Sequence, residues 1–199
     1  AQVLNNRSVE MAKKYNIEME VLSSLSRVPG TIVKEAKKME KMLISGIAKD
    51  DKVARVSVIG VPDRPGLAFK VFSKLSANNI NVDIILQSIG RNGTKDISFT
   101  VSQDNLAATM EILTPYVDLL GATSAVFDEN VAKVSIVGAG METHPGVAAT
   151  MFEALYDANI NIQMISTSEI KISVLIDRKD ADKAVVTVHN KFFSEDMQR

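Results

Sequence analysis

Hydrophobic and polar positions form a strand–helix–strand pattern that occurs twice along the chain. In the first unit, the β-branched run Ala54–Gly60 predicts a strand, and apolar residues spaced three and four apart predict a helix after it. That helix is expected to begin at Pro65, whose missing N–H costs nothing in a first turn, and to end near Asn79. Its apolar positions are Leu67, Val71, Phe72 and Leu75.

A second strand, a hairpin and further elements complete this first unit. Period-2 alternation predicts a strand over Asn81–Ile89, followed by a hairpin at residues 91–94. One strand face would carry Val82, Ile84 and Leu86, and the other Asn81, Asp83 and Gln87. The remaining predicted elements are a strand at Asp96–Val101, a helix at Asn105–Tyr116 and a strand at Ala122–Phe127. The order βαββαβ is the ferredoxin-like arrangement of an α+β fold.

The second unit repeats motifs of the first in the same order, which indicates an internal duplication. Val56–Gly60 returns as Val134–Gly138, Pro65-Gly66 as Pro145-Gly146, and Asn79–Val82 as Asn159–Ile162. Asp96-Ile97 is matched with Glu169-Ile170. The elements predicted for this unit are Ala132–Ala139, Pro145–Asn159, Asn161–Ser168, Ile170–Ile176 and Lys179–Phe193.

The repeat leaves the second unit without its last strand. Upstream, Met42–Ala48 is a short apolar run that has no partner of its own. We therefore expect this run to complete the second sheet, so that the first domain is inserted into the second. The predicted domains are residues 52–129 and residues 41–51 plus 130–199, packed side by side and paired in a dimer. Residues 1–40, with a helix at Ser8–Tyr15 and a strand at Met19–Leu22, are too few and too polar for a domain.

Composition and charge narrow the classes of function. The chain is 46% hydrophobic and 24% charged with a net charge of −1, which offers no electrostatic basis for binding nucleic acid or a membrane surface. The absence of cysteine excludes disulfides and zinc–thiolate sites. No apolar run approaches the roughly 20 residues that span a bilayer, and no signal-peptide pattern is present, so the cytosol is the expected location. His144 and His189 lack metal-ligand spacing, and no metal site is predicted.

The repeat resembles the ACT family of small amino-acid-binding domains. That family has a Gly/Pro-containing loop between its first strand and first helix, where this chain has Asp63-Arg64-Pro65-Gly66 and Thr143-His144-Pro145-Gly146. Val131–Met141 and Ile165–Ile170 are similar to the C-terminal signature of aspartate kinases. Ala1–Ala12 is similar to the end of the kinase domain of that family, so residues 1–40 are expected to be its remnant and a linker.

The resemblance implies the regulatory, feedback-sensing region of an aspartate kinase. Its effector would be lysine, threonine or both, and side-chain chemistry does not decide among them. ATP and Mg would serve a kinase domain or catalytic subunit, because the catalytic motifs of the family are absent here and no catalytic residue is assigned. The chain is then either a fragment of the kinase or its separately made small subunit.

A free amino acid requires a site for a carboxylate and one for an ammonium. The helix N-terminus near Pro65 offers N–H groups and a positive dipole end, Gly66 permits close approach, and Asp63 attracts the ammonium. The resemblance implies a composite site in which this loop and the next strand meet a second unit, often from another chain. The candidate effector-binding residues are Asp63, Arg64, Pro65, Gly66, Leu67, Ala68, Asn81, Val82, Asp83, Gln87, Val147, Ala148, Asn161, Ile162, Thr167 and Ser168.

Simpler interpretations stay open for these residues and for the function. The Asp63 loop can be only a turn with a helix cap, Asn81 and Asn161 can simply end helices, and Gln87 can be solvated. Two other functions are a pair of RNA-binding ferredoxin-like domains and a stand-alone amino-acid sensor that regulates another enzyme. The RNA interpretation is weak because Phe99 is the only aromatic residue in the relevant strands.

Overall fold

A computed structural model describes residues 4–25, 29–33, 44–88, 93–138 and 146–193, and forms two compact units, Ala1–Met42 and Leu43–Arg199. The first unit contains helix α1 (Asn6–Lys14) and the antiparallel strands β1 (Met19–Val21) and β2 (Thr31–Val33). The Asn5 side chain caps α1 by accepting a hydrogen bond from the Arg7 N–H at 2.9 Å. The predicted helix and first strand are confirmed, whereas β2 was not predicted.

The first ferredoxin-like domain lies in the second unit and consists of four strands and the helices on one face of their sheet. The strand order is β5-β6-β4-β7, and all neighbours are antiparallel. Short 3-10 turns flank α3, so the predicted helix at Asn105–Tyr116 is divided. The elements are β4 (Val53–Pro62), α2 (Leu67–Ala77), β5 (Ile85–Gln87), β6 (Thr94–Ser102), α3 (Leu106–Leu113), α4 (Val117–Leu120) and β7 (Ser124–Asp128).

The second domain has the same architecture, and its sheet includes a strand from before the first domain. β3 (Gly46–Asp50) pairs with β8 along Gly46↔Val137 to Asp50↔Lys133, giving the order β3-β8-β10-β9. The predicted insertion is therefore confirmed, although the strand begins at Gly46 rather than Met42, which lies outside the described residues. The other elements are β8 (Val131–Val137), α5 (Val147–Asp157), β9 (Met164–Ser168), β10 (Lys171–Asp177) and α6 (Ala181–Phe193).

Each domain has its own apolar core between sheet and helices. In the first, Leu67, Val71 and Leu75 place one face of α2 against Ile97 and Phe99 of β6. In the second, the buried face of α5 and α6 covers an equivalent set of strand residues: Val134, Ile136, Ile172, Val174 and Ile176. The 3.6-residue pattern of the sequence therefore marks the buried helix faces correctly.

Strand β3 contacts the rest of the second domain through an ion pair as well as through its backbone pairing with β8. The Lys49 ammonium donates a hydrogen bond to the Asp182 carboxylate of α6 at 2.7 Å. This contact, together with Asp51 at 3.4 Å, raises the pKa of Lys49 above its ordinary value. The Asp182 carboxylate is 89% exposed, so its pair with Lys49 contributes little to stability.

A third apolar cluster joins the two domains at the starts of β4 and β8. It contains Val53 at the start of β4 and Val131 at the start of β8, together with Ile84, Met164 and Leu175. Because β4 starts at this junction, the loop at Asp63–Gly66, which follows β4, lies at the end of the first domain that is distant from the junction. The described helices include none that is both long and apolar enough to cross a membrane.

Three sequence-based predictions are wrong in detail. Helix α2 begins at Leu67, and Pro65 lies in the preceding turn. The strand predicted at Asn81–Ile89 covers only Ile85–Gln87, because the Thr100 hydroxyl accepts the Ile84 N–H at 3.0 Å and interrupts the ladder. Leu86 lies opposite Ser98 on the face away from the helices, whereas Val82 contacts the helix-side core.

The alignment of the two repeats also needs correction. Ile97 lies opposite Val58, and Ile172 lies opposite Ile136, which is the repeat partner of Val58. The equivalent of Asp96 is therefore Lys171, not Glu169. The hairpin prediction at residues 91–94 and the Thr143-His144-Pro145 loop fall largely outside the described residues.

Candidate functional site

The turn before α2 presents an uncapped helix N-terminus. Gly66 adopts the left-handed conformation (φ 90°) as N-cap, no side chain caps the helix, and its first turn contains no acidic residue. A Cβ added at Gly66 would meet no atom within 4 Å, so the space above this backbone is open. The unpaired N–H groups and the positive end of the helix dipole suit an external carboxylate.

Asp63 lies beside this helix terminus and is held at two points. Its backbone N–H donates to the Gly93 carbonyl at 2.8 Å, and its carboxylate contacts the Lys95 ammonium at 3.0 Å. The Asp63 side chain remains 61% exposed, whereas that of Lys95 is only 14% exposed. One carboxylate oxygen therefore remains accessible for a second cation, such as the ammonium of an amino acid.

The other first-domain candidates lie toward the opposite end of the sheet. The Asp83 N–H donates to the Thr100 carbonyl, whereas Asp63 is level with Gly93 at the start of β6. Thr94 and Thr100 are six residue steps apart along β6, which corresponds to roughly 20 Å at the rise of a strand. Gln87 lies between these levels, opposite Ile97.

Asn81–Asp83 border a cleft of about 470 Å³ at the junction of the two domains. Lys133 of the second domain reaches into it and contacts the carboxylates of Asp83 and of Asp50, the latter at 3.5 Å. The Lys133 side chain is only 16% exposed, and these two carboxylates balance its charge. The cleft is lined by Asp50, Lys52, Val53, Asn81, Val82, Asp83, Thr100, Val101, Ser102, Asn105 and Lys133.

The Lys133 contacts give a first testable prediction. We expect Lys133→Met to lower the free energy of unfolding by about 1–2 kcal/mol, because Asp50 and Asp83 are left without their shared cation. Urea unfolding at low and high salt measures this, and added salt should narrow the difference. Lys179→Met is the control, since the Lys179 side chain is 77% exposed and forms an ion pair with Asp177 at 3.7 Å. Equal stability of the two variants would show that the junction does not depend on Lys133.

The second-domain candidates are similarly divided between two ends. Val147 and Ala148 begin α5, and Thr167 and Ser168 end β9, on the side away from the junction. Asn161 and Ile162 follow the turn at Asn159 (φ 54°), which leads back toward the junction. Val147 is only 6% exposed and Ile162 packs against the core, so their side chains have a structural role in the chain as it stands.

The structure therefore brings the candidate residues together in pairs of segments, not in one pocket. Asp63 and the start of α2 share one end of the first domain, Gln87 lies midway along its sheet, and Asn81–Asp83 lie at the junction. Lys95 and Lys133 were not predicted, because the sequence does not reveal which carboxylate faces each lysine.

His189 stacks on Phe193 with ring centroids 4.7 Å apart. Over the described ranges, no cluster of three or more His, Asp or Glu residues could hold a metal ion.

Comparison with known proteins follows the same division into two domains. Residues 54–115 and residues 134–192 each match a model of the ACT domain. The chain is 47% identical over 195 residues to the aspartokinase of Pseudomonas aeruginosa, covering 96% of this chain and 47% of that protein. It thus spans about half the length of the curated relatives it matches.

The match covers almost the full length of two chains in solved structures. A chain from a crystal structure of aspartokinase alpha and beta subunits has 49% sequence identity and a TM-score of 0.70, with 75% of this chain and 98% of that chain covered. The ligand-free regulatory subunit of aspartate kinase from Thermus thermophilus has 39% identity and a TM-score of 0.72, with 75% and 99% covered. On these matches and the paired ACT fold, the chain belongs to the aspartokinase family, as its regulatory region with two ACT domains.

Proposed function

We propose that this chain is the feedback-sensing part of an aspartate kinase and that it binds lysine, threonine or both. The observation that carries the proposal is the open N-terminus of α2 with the exposed Asp63 carboxylate beside it. Together they offer one group for each charge of an amino-acid zwitterion. Effector binding would control ATP- and Mg-dependent phosphorylation of aspartate by a kinase domain or catalytic subunit.

A second copy of the chain would complete the site. Asp63 and Asn81–Asp83 lie roughly 20 Å apart along one sheet, so a single small effector cannot contact both within one domain. Strand β5 is an edge strand with Ile85 51% and Leu86 43% exposed, a surface on which another ACT domain can pair. Self-association through the ACT domains is therefore part of the proposal. Val147–Ala148 and Asn161–Ile162 of a partner would meet the first-domain candidates, which are Asp63–Ala68, Asn81–Asp83 and Gln87.

Calorimetry of the chain with lysine and with threonine tests the proposal directly. We expect one or both to bind, and Asp63→Asn to weaken binding about 10- to 100-fold, because a hydrogen bond to a charged group contributes about 1.5–3 kcal/mol. Glu111→Gln on α3 is the control, since it removes an exposed carboxylate of the same domain. Binding of neither amino acid, or equal affinities of the two variants, would contradict the assignment of the site.

Joining the chain to a catalytic part tests the regulatory role. The same effector should then lower the rate of aspartate phosphorylation, and Asp63→Asn should raise the effector concentration that is required. An effector that binds but leaves this rate unchanged would favour a sensor that acts on another enzyme.

A further inference from the structure

Strand β4 contains a β-bulge directly before the candidate site. Its pairing with β6 runs from Val53↔Ser102 to Val58↔Ile97 and resumes at Val61↔Lys95, so Ile59 and Gly60 together face Asp96. Gly60 has φ 69°, which makes this a bulge that depends on a left-handed glycine. The extra residue turns Val61 into the core, where it is fully buried, and sets the direction in which the chain continues to Asp63.

The Asp96 carboxylate holds this bulge closed. It accepts a hydrogen bond from the Gly60 N–H at 2.8 Å, in a partly buried position. A bulge leaves one residue outside the ladder, and here a side chain provides the acceptor that the missing ladder carbonyl would otherwise supply. The bond is charge-assisted, and such bonds are about twice as strong as neutral ones.

The same residue also fixes the end of β5. The Asp96 N–H donates to the Ser88 hydroxyl at 3.0 Å, and the Ser88 N–H donates to the Asp96 carbonyl at 3.0 Å. Ser88 follows Gln87, a candidate for effector contact. Asp96 thus connects the segment that leads to Asp63 with the segment that carries Gln87.

The second domain lacks this arrangement. β8 pairs with β10 without a shift from Val131↔Asp177 to Val137↔Lys171, so Lys171 occupies the position of Asp96. Gly138, the repeat partner of Gly60, donates its N–H to the backbone carbonyl of Ile170 at 3.0 Å. The two domains therefore differ structurally at the strand end that leads into the loop.

We infer that Asp96 is a positioning residue for amino-acid binding in the first domain. Its carboxylate fixes the Gly60 bulge and thereby holds the Asp63 loop and the N-terminus of α2 in the orientation that binds the effector. The inference rests on the proposed function for its effect on affinity, but its structural part can be measured without any effector.

Asp96→Ala and Asp96→Asn separate positioning from charge. The asparagine side chain keeps an oxygen that accepts the Gly60 N–H, so Asp96→Asn should bind lysine or threonine within about threefold of the unmodified chain, whereas Asp96→Ala should lose about tenfold or more. Asp128→Ala is the control, because it removes a carboxylate that pairs with Arg55 at the other end of the same sheet. It should leave the affinity within about twofold.

Amide hydrogen exchange gives the second measurement. In Asp96→Ala the Gly60 and Asp63 N–H groups should exchange about tenfold faster or more, and in Asp96→Asn they should stay protected. Unchanged exchange in the alanine variant, or an asparagine variant as impaired as the alanine variant, would overturn the inference. If the unmodified chain binds neither amino acid, the proposed function fails, and the exchange rates still decide whether Asp96 positions the loop.

Discussion

Replacing Phe99 by alanine is expected to lower the free energy of unfolding by about 3–5 kcal/mol, the usual cost of removing a buried phenylalanine side chain. Phe99 is fully buried at the centre of β6, between β4 and β5. Its ring meets that of Phe72 on α2 edge to face, with centroids 5.5 Å apart. Truncation therefore opens a cavity and removes an aromatic pair in one step. Urea denaturation followed by circular dichroism measures the loss.

Phe69→Ala is the matched control, because this phenylalanine lies on the same helix as Phe72 but is 74% exposed. We expect it to change the stability by no more than about 0.5 kcal/mol. A double-mutant cycle of Phe72→Ala and Phe99→Ala should give a coupling of about 0.5–1.5 kcal/mol from the edge-to-face contact. Equal losses for Phe69→Ala and Phe99→Ala would contradict the position of the first core.

Gly60→Ala is expected to cost about 2–5 kcal/mol, since two penalties act at one position. A left-handed backbone costs a residue with a Cβ about 1–2 kcal/mol, and overpacking adds about 1–3 kcal/mol. The new Cβ would lie 2.2 Å from the Thr123 hydroxyl oxygen and 3.1 Å from the Thr123 Cβ. Thermal or urea unfolding measures the combined effect.

Two other glycines separate the two penalties. Gly66 has φ 90° but open space around a Cβ, so Gly66→Ala should show the backbone cost alone, about 1–2 kcal/mol. Gly46 has neither a left-handed φ nor a close neighbour, and Gly46→Ala should be neutral or stabilise by about 0.4–1 kcal/mol. Thr123→Ala should recover part of the loss in Gly60→Ala. No recovery would mean that the backbone conformation, not the contact, dominates.

The architecture could be predicted because its determinants are local or repeated. The spacing of Leu67, Val71 and Leu75 defines one buried helix face without knowledge of the rest of the fold. Comparison of the two repeats shows that the second unit lacks one strand, and the upstream apolar run that forms β3 was assigned to that place. The left-handed residues Asn79 and Asn159 end both helices at equivalent positions, as the sequence indicates.

Features that depend on tertiary packing could not be predicted. The alternation of Asn81–Ile89 looks like a full strand, yet Ile84 is drawn into the cluster between the domains and the Thr100 hydroxyl takes its N–H. Likewise, the contact between Lys133 and Asp83 joins residues of different domains, whose orientation no local pattern encodes.

The bulge at Gly60 was within reach of the sequence but was not recognised. A single glycine within a strand indicates a bulge or a close approach of backbone. The first strand was predicted to end at Gly60, whereas β4 continues through the bulge to Pro62. The two strands differ in sequence at the residue opposite the glycine: Asp96 accepts the Gly60 N–H in the first domain, and Lys171 stands at the equivalent position in the second.

The insertion of one domain into the other has a consequence for the order of folding. Pairing β3 with β8 requires closure of a loop of about 80 residues, from 51 to 130. Once the first domain is folded, the pair Arg55↔Asp128 already brings the two ends of that loop together. The remaining entropy of closure is then lower by about 2–3 kcal/mol. The second sheet therefore assembles most readily around a folded first domain, and unfolding of the first domain weakens the anchoring of β3 in the second.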